Sequence, residues 1–265
     1  MPDTTRIDWN DPTVASYLVA METMRPMSRR AEHTEAFTLP WFLQIEERRY
    51  ARHGAWLTRL MEFDKHPGER LLALGDGLGT DWTRYAVHGS TVTIASHSHD
   101  HLGAVHRHFE LRGLDSQLMH APIARYPVEN NSYDVVHLSG NLLNATHSEA
   151  MIDEIYRVLK PGGKLIAILP ARRNSLYWQR YLLPWSRVYQ PIDTSRADRW
   201  TPKLLNRAFT RFSEHRIYQR QLRRFELPHV WRWMLLPVLE RMMGRYLILK
   251  SFKPISAAIP ASCAA

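Results

Sequence analysis

Cysteine is nearly absent from this 265-residue chain: Cys263 stands alone, within the small-residue stretch Ser256 to Ala265. One thiol can close no intrachain disulfide and build no multi-cysteine metal cluster. Long apolar runs are missing too, and none approaches the roughly 20 residues that a membrane-crossing helix needs. The opening Met1-Pro2-Asp3-Thr4-Thr5-Arg6-Ile7-Asp8 lacks a basic patch leading into an apolar segment, so the expectation is a cytoplasmic chain without a secretory leader. There is no internal repeat. Hydrophobic residues at 45% and a mean hydropathy of -0.37 describe an ordinary folded protein and exclude a disordered or fibrous one. The length suits one sizeable core with decorations or a small cap.

Acid is scarce in the last third. Residues 171–265 carry 18 Lys and Arg against 5 Asp and Glu, a net of +13, which leaves -4 for residues 1–170 of the total +9. A face of that charge can attract nucleic acid, an anionic membrane or an acidic substrate, and charge alone does not choose among them.

What is present is a change of pattern along the chain. Residues 1–64 read as a helical extension: Asp11-Pro12 resembles a helix start, and Phe42, Ile45, Ala51, Trp56, Leu57 and Leu60 form a stripe over one helical stretch from Pro40 to Met61, with Arg48, Arg49 and Arg52 largely between them. Residues 65–170 alternate strands and helices. Strands are expected at Leu71–Leu74, Val92–Ala95, Gln117–His120, Asp134–Leu138 and Lys164–Leu169, and helices run to Ala86, from Ser98 to Leu111, and over Glu149–Leu159. Gly89 and Gly113 stop two of the helices, Ser98 caps one, and Pro161-Gly162-Gly163 is read as a turn. Such spacing requires crossover connections and hence a doubly wound, mostly parallel sheet. Residues 171–200 read as a cap, 201–256 complete the core with a helix over Thr201–Phe209 and late strands at Ile217–Arg220 and Tyr246–Lys250, and 257–265 form a flexible tail.

The run Leu71-Leu72-Ala73-Leu74-Gly75-Asp76-Gly77-Leu78-Gly79-Thr80-Asp81 closely resembles the first motif of class I S-adenosylmethionine-dependent methyltransferases. Asn131-Ser132-Tyr133-Asp134-Val135-Val136, the stretch Asp153 to Gly163, and the late segments Phe209–Tyr218 and Tyr246–Pro254 follow in the family's order, so the resemblance covers about residues 42–254. It implies a seven-stranded Rossmann-like methyltransferase fold and S-adenosylmethionine as cofactor. The positions it assigns to the cofactor are Gly75, Asp76, Gly77, Gly79, Ser96, His97, Ala121, Pro122 and Gly140. Glycines let the loop bend sharply and let backbone come close to a ligand; the alternative is a tight turn and nothing more.

Several of those positions depart from the family pattern. Ala73 stands where an acid is usual, Ser96 replaces the ribose-binding acid, and Ala121-Pro122 replaces an acid and a backbone donor toward adenine. Each lost charge-assisted hydrogen bond is worth about 1.5 to 3 kcal/mol before compensation. Asp76 either faces the cofactor carboxylate unfavourably, turns away into solvent, or meets a positive group of the ligand.

His97-Ser98-His99-Asp100-His101 has two readings, a metal site shared by His97 and His101 or a polar helix start beside the ribose; the second is preferred and no metal is expected. His99 or His101 can serve as base, and Asn144 is a third catalytic candidate, whose alternative role is loop capping. Asn141, Arg172, Arg173, Tyr177 and Trp178 are expected to meet the substrate, with Trp185, Tyr189, Arg180 and Arg187 also in the cap. The bland alternative is an amphipathic lid.

Two functions therefore stand: an atypical methyltransferase acting directly on a small molecule, anionic or partly apolar; or a non-methylating relative, either an enzyme of different chemistry or a noncatalytic partner subunit. Methyl transfer needs no dedicated nucleophile from the protein, so the absence of a catalytic motif argues little. As partners, besides the small molecule, a homodimer or a partner methyltransferase subunit is considered. Peripheral membrane contact through Trp231, Trp233, Met234, Leu235, Leu236 and Leu239 is weighed against core packing, and nucleic acid is disfavoured for want of a binding motif.

Overall fold

A computed structural model describes residues 34–51, 54–122, 125–140, 148–175, 177–178, 200–222 and 235–255. Its strands are β1 (Arg70–Leu74), β2 (Thr91–Ser96), β3 (Gln117–His120), β4 (Tyr133–Ser139), β5 (Leu159–Pro170), β6 (Ser213–Arg220) and β7 (Tyr246–Phe252). The helices are α1 (Leu39–Tyr50), α2 (Ala55–Met61), α3 (Thr80–Val87), α4 (His99–Leu111), α5 (Ser148–Val158), α6 (Pro202–Ala208) and α7 (Leu236–Met243).

One seven-stranded sheet results, ordered β3-β2-β1-β4-β5-β7-β6. The first five strands are parallel, and β7 runs antiparallel between β5 and β6. Parallel neighbours in that order demand helical crossovers on both faces, so β1 and β4 are apolar on both sides. Period-two alternation divides them: Leu72, Leu74, Val136 and Leu138 pack toward α5 and α6, whereas Leu71, Ala73 and Val135 pack toward α2, α3 and α4. Truncating a fully buried leucine such as Leu72 to alanine removes about 2 to 5 kcal/mol of packing.

Local signals behave as their chemistry predicts. Ser98 Oγ accepts from the His101 backbone N–H and opens α4, while Thr201 does the same for Leu204 at the start of α6. Gly89 (φ 90°) and Gly113 (φ 64°) close helices in the left-handed region that a side chain disfavours.

Two expectations are corrected. The stripe from Pro40 to Met61 is not one helix but two, because Ala51 leaves helical geometry and Gly54 sits so close that a Cβ would lie 1.7 Å from the Arg49 carbonyl oxygen. Pro161-Gly162-Gly163 does not separate helix from strand; it is a bulged part of β5, with Gly162 N–H donating to Lys253 O and Lys253 N–H to Gly163 O. Glu62, in the left-handed region, binds Lys164 of β5 and Lys250 of β7 and so ties α2 to that flank of the sheet. These two lysines hold its carboxyl down at about 2 against the opposing effect of burial.

Candidate functional site

Strands β1, β2, β3 and β4 all end at one edge of the sheet, at Leu74, Ser96, His120 and Ser139. The residues that follow these ends, Gly75, His97, Ala121 and Gly140, therefore converge, as the connections of an open parallel sheet require. A narrow cleft lies there, lined by Gly75, Asp76, Ser96, His97, Ala121 and Pro122, with Tyr126 and Met151 closing its apolar side. Tyr126, whose hydroxyl donates to Met151 Sδ at 3.4 Å, was not anticipated from the sequence, since its segment carries no motif.

Each glycine has its own reason. A Cβ at position 75 would meet Ser139 Oγ at 2.3 Å and Ser139 O at 2.8 Å, so this glycine permits β1 to leave the sheet against β4. At Gly140 (φ 86°) a Cβ would stand 3.1 Å from Asp76 Oδ2; the Asp76 carboxylate thus lies over bare backbone at the cleft. Gly79 (φ 81°) opens α3.

The loop is held from beneath by α4. His101 Nε2 donates to the Gly77 carbonyl at 2.7 Å, and His108 Nδ1 to the Leu78 carbonyl at 2.9 Å. A carbonyl only accepts, so the proton positions on both rings are settled. His108 is fully buried and stacked on Phe42 of α1 at 4.0 Å; burial outweighs the Leu78 bond and pushes its pKa down to about 4. The sequence reading gave His108 no role, although its spacing of seven from His101 on one helix places both on the same face.

Below the loop lies a buried ionic network. Asp81, in the first turn of α3, receives Arg49 Nε at 2.6 Å and Nη2 at 2.5 Å, and the Tyr50 hydroxyl at 2.6 Å. Burial works to raise the Asp81 carboxyl, but Arg49, His137 and Tyr50 together hold it below the usual range. Trp82 Nε1–H donates to His137 Nδ1 at 3.0 Å, so the neutral imidazole carries its proton on Nε2, facing Asp81 Oδ2 at 3.9 Å. Burial lowers His137 to about 4 despite that carboxylate. Arg49 is 6% exposed, which corrects the reading that the arginines of this helix lie off its packed face; a bidentate partner makes its burial tolerable.

The remaining candidates are distributed as follows. His99 is exposed and stacked on His120 at 3.7 Å, and His97 lends its carbonyl to His120 Nε2. Ser96 Oγ accepts from the Ser98 N–H. Asn141, Asn144, Trp185, Tyr189, Arg180, Arg187, Trp231, Trp233, Met234, Asp11-Pro12 and Cys263 lie outside the described residues. Among the described residues there is no group of three or more His, Cys, Asp or Glu able to hold a metal ion, and no helix long and apolar enough to cross a membrane.

A second and wider pocket, about 210 Å³, opens beyond the end of β5. Arg173 and Trp178 line it, together with Trp200, Pro202, Met242 and Leu247. Tyr177 packs edge-on against Trp178 at 5.7 Å, and the exposed Arg172 donates its backbone N–H to Trp200 O. Gln219 of β6 ties the region together: its amide donates to the carbonyls of Arg173, Met242 and Gly244.

Comparison with known proteins agrees with this architecture. Residues 71–163 match the family model described as a methyltransferase domain. The chain is 36% identical over 100 residues to a demethylmenaquinone methyltransferase of Clavibacter sepedonicus, covering 37% of this chain and 40% of that protein. A solved S-adenosylmethionine-dependent methyltransferase from Aquifex aeolicus superposes with a TM-score of 0.56 at 10% identity, over 80% of this chain and 96% of the other. The [4+2]-cyclase SpnF does so with a TM-score of 0.53 at 20% identity, over 75% and 81%. The matched segment and the strand order together give residues 71–163 the character of a methyltransferase domain, set in the Rossmann-like fold of the solved methyltransferases on which the chain superposes.

Proposed function

We infer that the protein is an S-adenosylmethionine-dependent methyltransferase acting on a small, partly apolar and anionic molecule. The observation that carries this reading is the convergence of Gly75, Asp76, Ser96, His97, Ala121 and Pro122 on one cleft at the strand ends. The residues there fit the cofactor in kind. The Asp76 carboxylate, lying over Gly140, suits its ammonium group; the Ser96 hydroxyl and His97 imidazole suit the ribose; Ala121, Tyr126 and Met151 supply an apolar wall for the adenine. When bound, the cofactor brings a methyl group already activated on sulfonium. The chain's task is then to align an acceptor and exclude water. The segment holding Asn141 and Asn144 follows β4 in the chain and is assigned to acceptor orientation, and the exposed His99 is the freer of the two histidine bases, since His101 is committed to the Gly77 carbonyl.

The relative from Clavibacter sepedonicus is named a demethylmenaquinone methyltransferase, which supports an acceptor of that kind; this chain spans 40% of that protein's length. Calorimetric titration with S-adenosylmethionine tests the reading: saturable binding displaced by S-adenosylhomocysteine is expected. Ser96→Asp restores a carboxylate at the β2 end and should tighten binding by about 10- to 100-fold, the worth of one charge-assisted pair. No saturable heat at millimolar ligand, in either form, sinks it.

A second reading, non-methylating chemistry or a supporting subunit, draws on the substituted positions Ser96, Ala121 and Pro122 and on the similarity of fold to a protein titled a cyclase. Binding of S-adenosylmethionine without methyl transfer to any aromatic acceptor would favour it.

A further inference from the structure

We propose that the outer side of α7, together with the cations beside it, docks on an anionic lipid bilayer. The inference concerns where the protein sits and is independent of the methyltransferase reading.

Helix α7 is apolar on two sides. Leu239 and Met243 are buried inward, packed with Leu222 and Trp178. Leu235, Val238 and Met242, spaced three and four apart, form a second row on the outside and are 75%, 49% and 54% exposed. A surface helix ordinarily turns polar residues outward, so an apolar row kept there has further surface to bury. The stretch weighed from sequence as a membrane contact is thereby divided: Leu239 belongs to the core and Leu235 to the outer row.

Charge decides what covers that row. Glu240, the acid of α7, is turned toward β6, where its carboxylate accepts the Gln221 backbone N–H. Arg241, beside Met242, is exposed. Met242 and Arg173 line one pocket with Pro202, and the exposed Arg172 and Lys203 adjoin the last two in the chain. Hydrogen bonds from the Gln219 amide to the carbonyls of Arg173 and Gly244 fix these segments side by side. Among the described residues none of Arg172, Arg173, Lys203 and Arg241 has a carboxylate partner. All of them belong to the strongly basic last third of the chain.

An apolar row flanked by unpaired cations matches an anionic bilayer in depth. Aliphatic side chains enter the boundary between headgroups and acyl chains, while arginine and lysine reach the phosphates. A second copy of the chain matches poorly, because self-pairing of this face sets its cations against one another. Nucleic acid also matches poorly, since an aliphatic row offers bases no ring on which to stack.

Co-sedimentation of the full chain with vesicles tests the docking. Vesicles of phosphatidylcholine mixed with phosphatidylglycerol should bind it about tenfold or more tighter than phosphatidylcholine alone at about 0.15 M salt, and about 1 M salt should erase that preference. Val238→Glu combined with Met242→Glu places two carboxylates in the row and should abolish binding. Arg241→Glu keeps the row and should weaken binding about tenfold. Val87→Glu, at a site 57% exposed where α3 ends near the opposite edge of the sheet, should change nothing. Equal binding to both kinds of vesicle, wild-type binding by the doubly substituted form, or a lipid-free dimer that Met242→Glu disperses overturns the proposal.

Discussion

Above β1 and β2 the molecule shapes its cleft largely with main chain and small residues, whereas above β5 and β7 it shapes its pocket with large side chains. Gly75, Asp76, Ser96 and Ala121 leave room by being small, and Gly75 is packed where a Cβ would strike Ser139. Trp178, Trp200, Met242 and Leu247 instead enclose space by their bulk. The supports differ in the same way. The glycine loop rests on two buried histidines and on the Arg49–Asp81 pair, all of them ionisable; the wider pocket rests on apolar packing and on one neutral amide, Gln219. A ligand site with ionisable foundations should respond to charge deletion and to pH, and one with neutral foundations should not.

The largest expected effect breaks the ionic support. Arg49→Ala leaves the Asp81 carboxylate buried without its bidentate partner and should cost about 3 to 5 kcal/mol in denaturant unfolding. A loss under 1 kcal/mol would show that the network is ornamental and that the two regions are alike. Next comes pH. His108 and His137, both at about 4 in the fold against an ordinary 6.5, are neutral when folded and take up protons on unfolding. The stability they contribute is whole above about pH 6.5 and is lost as pH falls from there to about 4, on the order of 2 to 3 kcal/mol for each histidine. Unfolding followed from pH 7.5 to 4 should be less steep in His108→Phe, and an unchanged slope would remove that histidine from the account.

On the neutral side, Gln219→Leu removes the two amide N–H donors that serve the Arg173 and Gly244 carbonyls and should cost about 1 to 3 kcal/mol, with the loss independent of pH over the same range. A loss that varies with pH would blur the contrast. The smallest effect is Ser98→Ala, which removes the cap of α4 for about 1 kcal/mol and should loosen the histidine supports before it touches the second pocket. Hydrogen exchange of the Gly77–Gly79 amides against those of β6 reads the difference directly.

Legibility from sequence follows the same division. The glycine motif, the capping residues and the strand-helix alternation are local, and they placed β1 to β5 and the Ser98 and Thr201 caps, whereas candidates at the first cleft such as Ser96, Ala121 and Pro122 came from the family resemblance. Local reading failed where distant groups decide. Pro40 to Met61 carries one stripe yet breaks into α1 and α2, because Gly54 must sit against the Arg49 carbonyl. Arg49 looked solvated because its partner lies 32 residues away.

The sequence by itself determined a doubly wound sheet with an antiparallel flank and a bend after the first strand, since hydrophobic period, glycine and cap chemistry act over a few residues. Only the tertiary structure decided which polar groups are buried together and which donor is left unpaired. Asp81 meets Arg49 and faces His137, and Trp178 meets no acceptor, because burial and pairing depend on what the fold brings against a side chain from far along the chain.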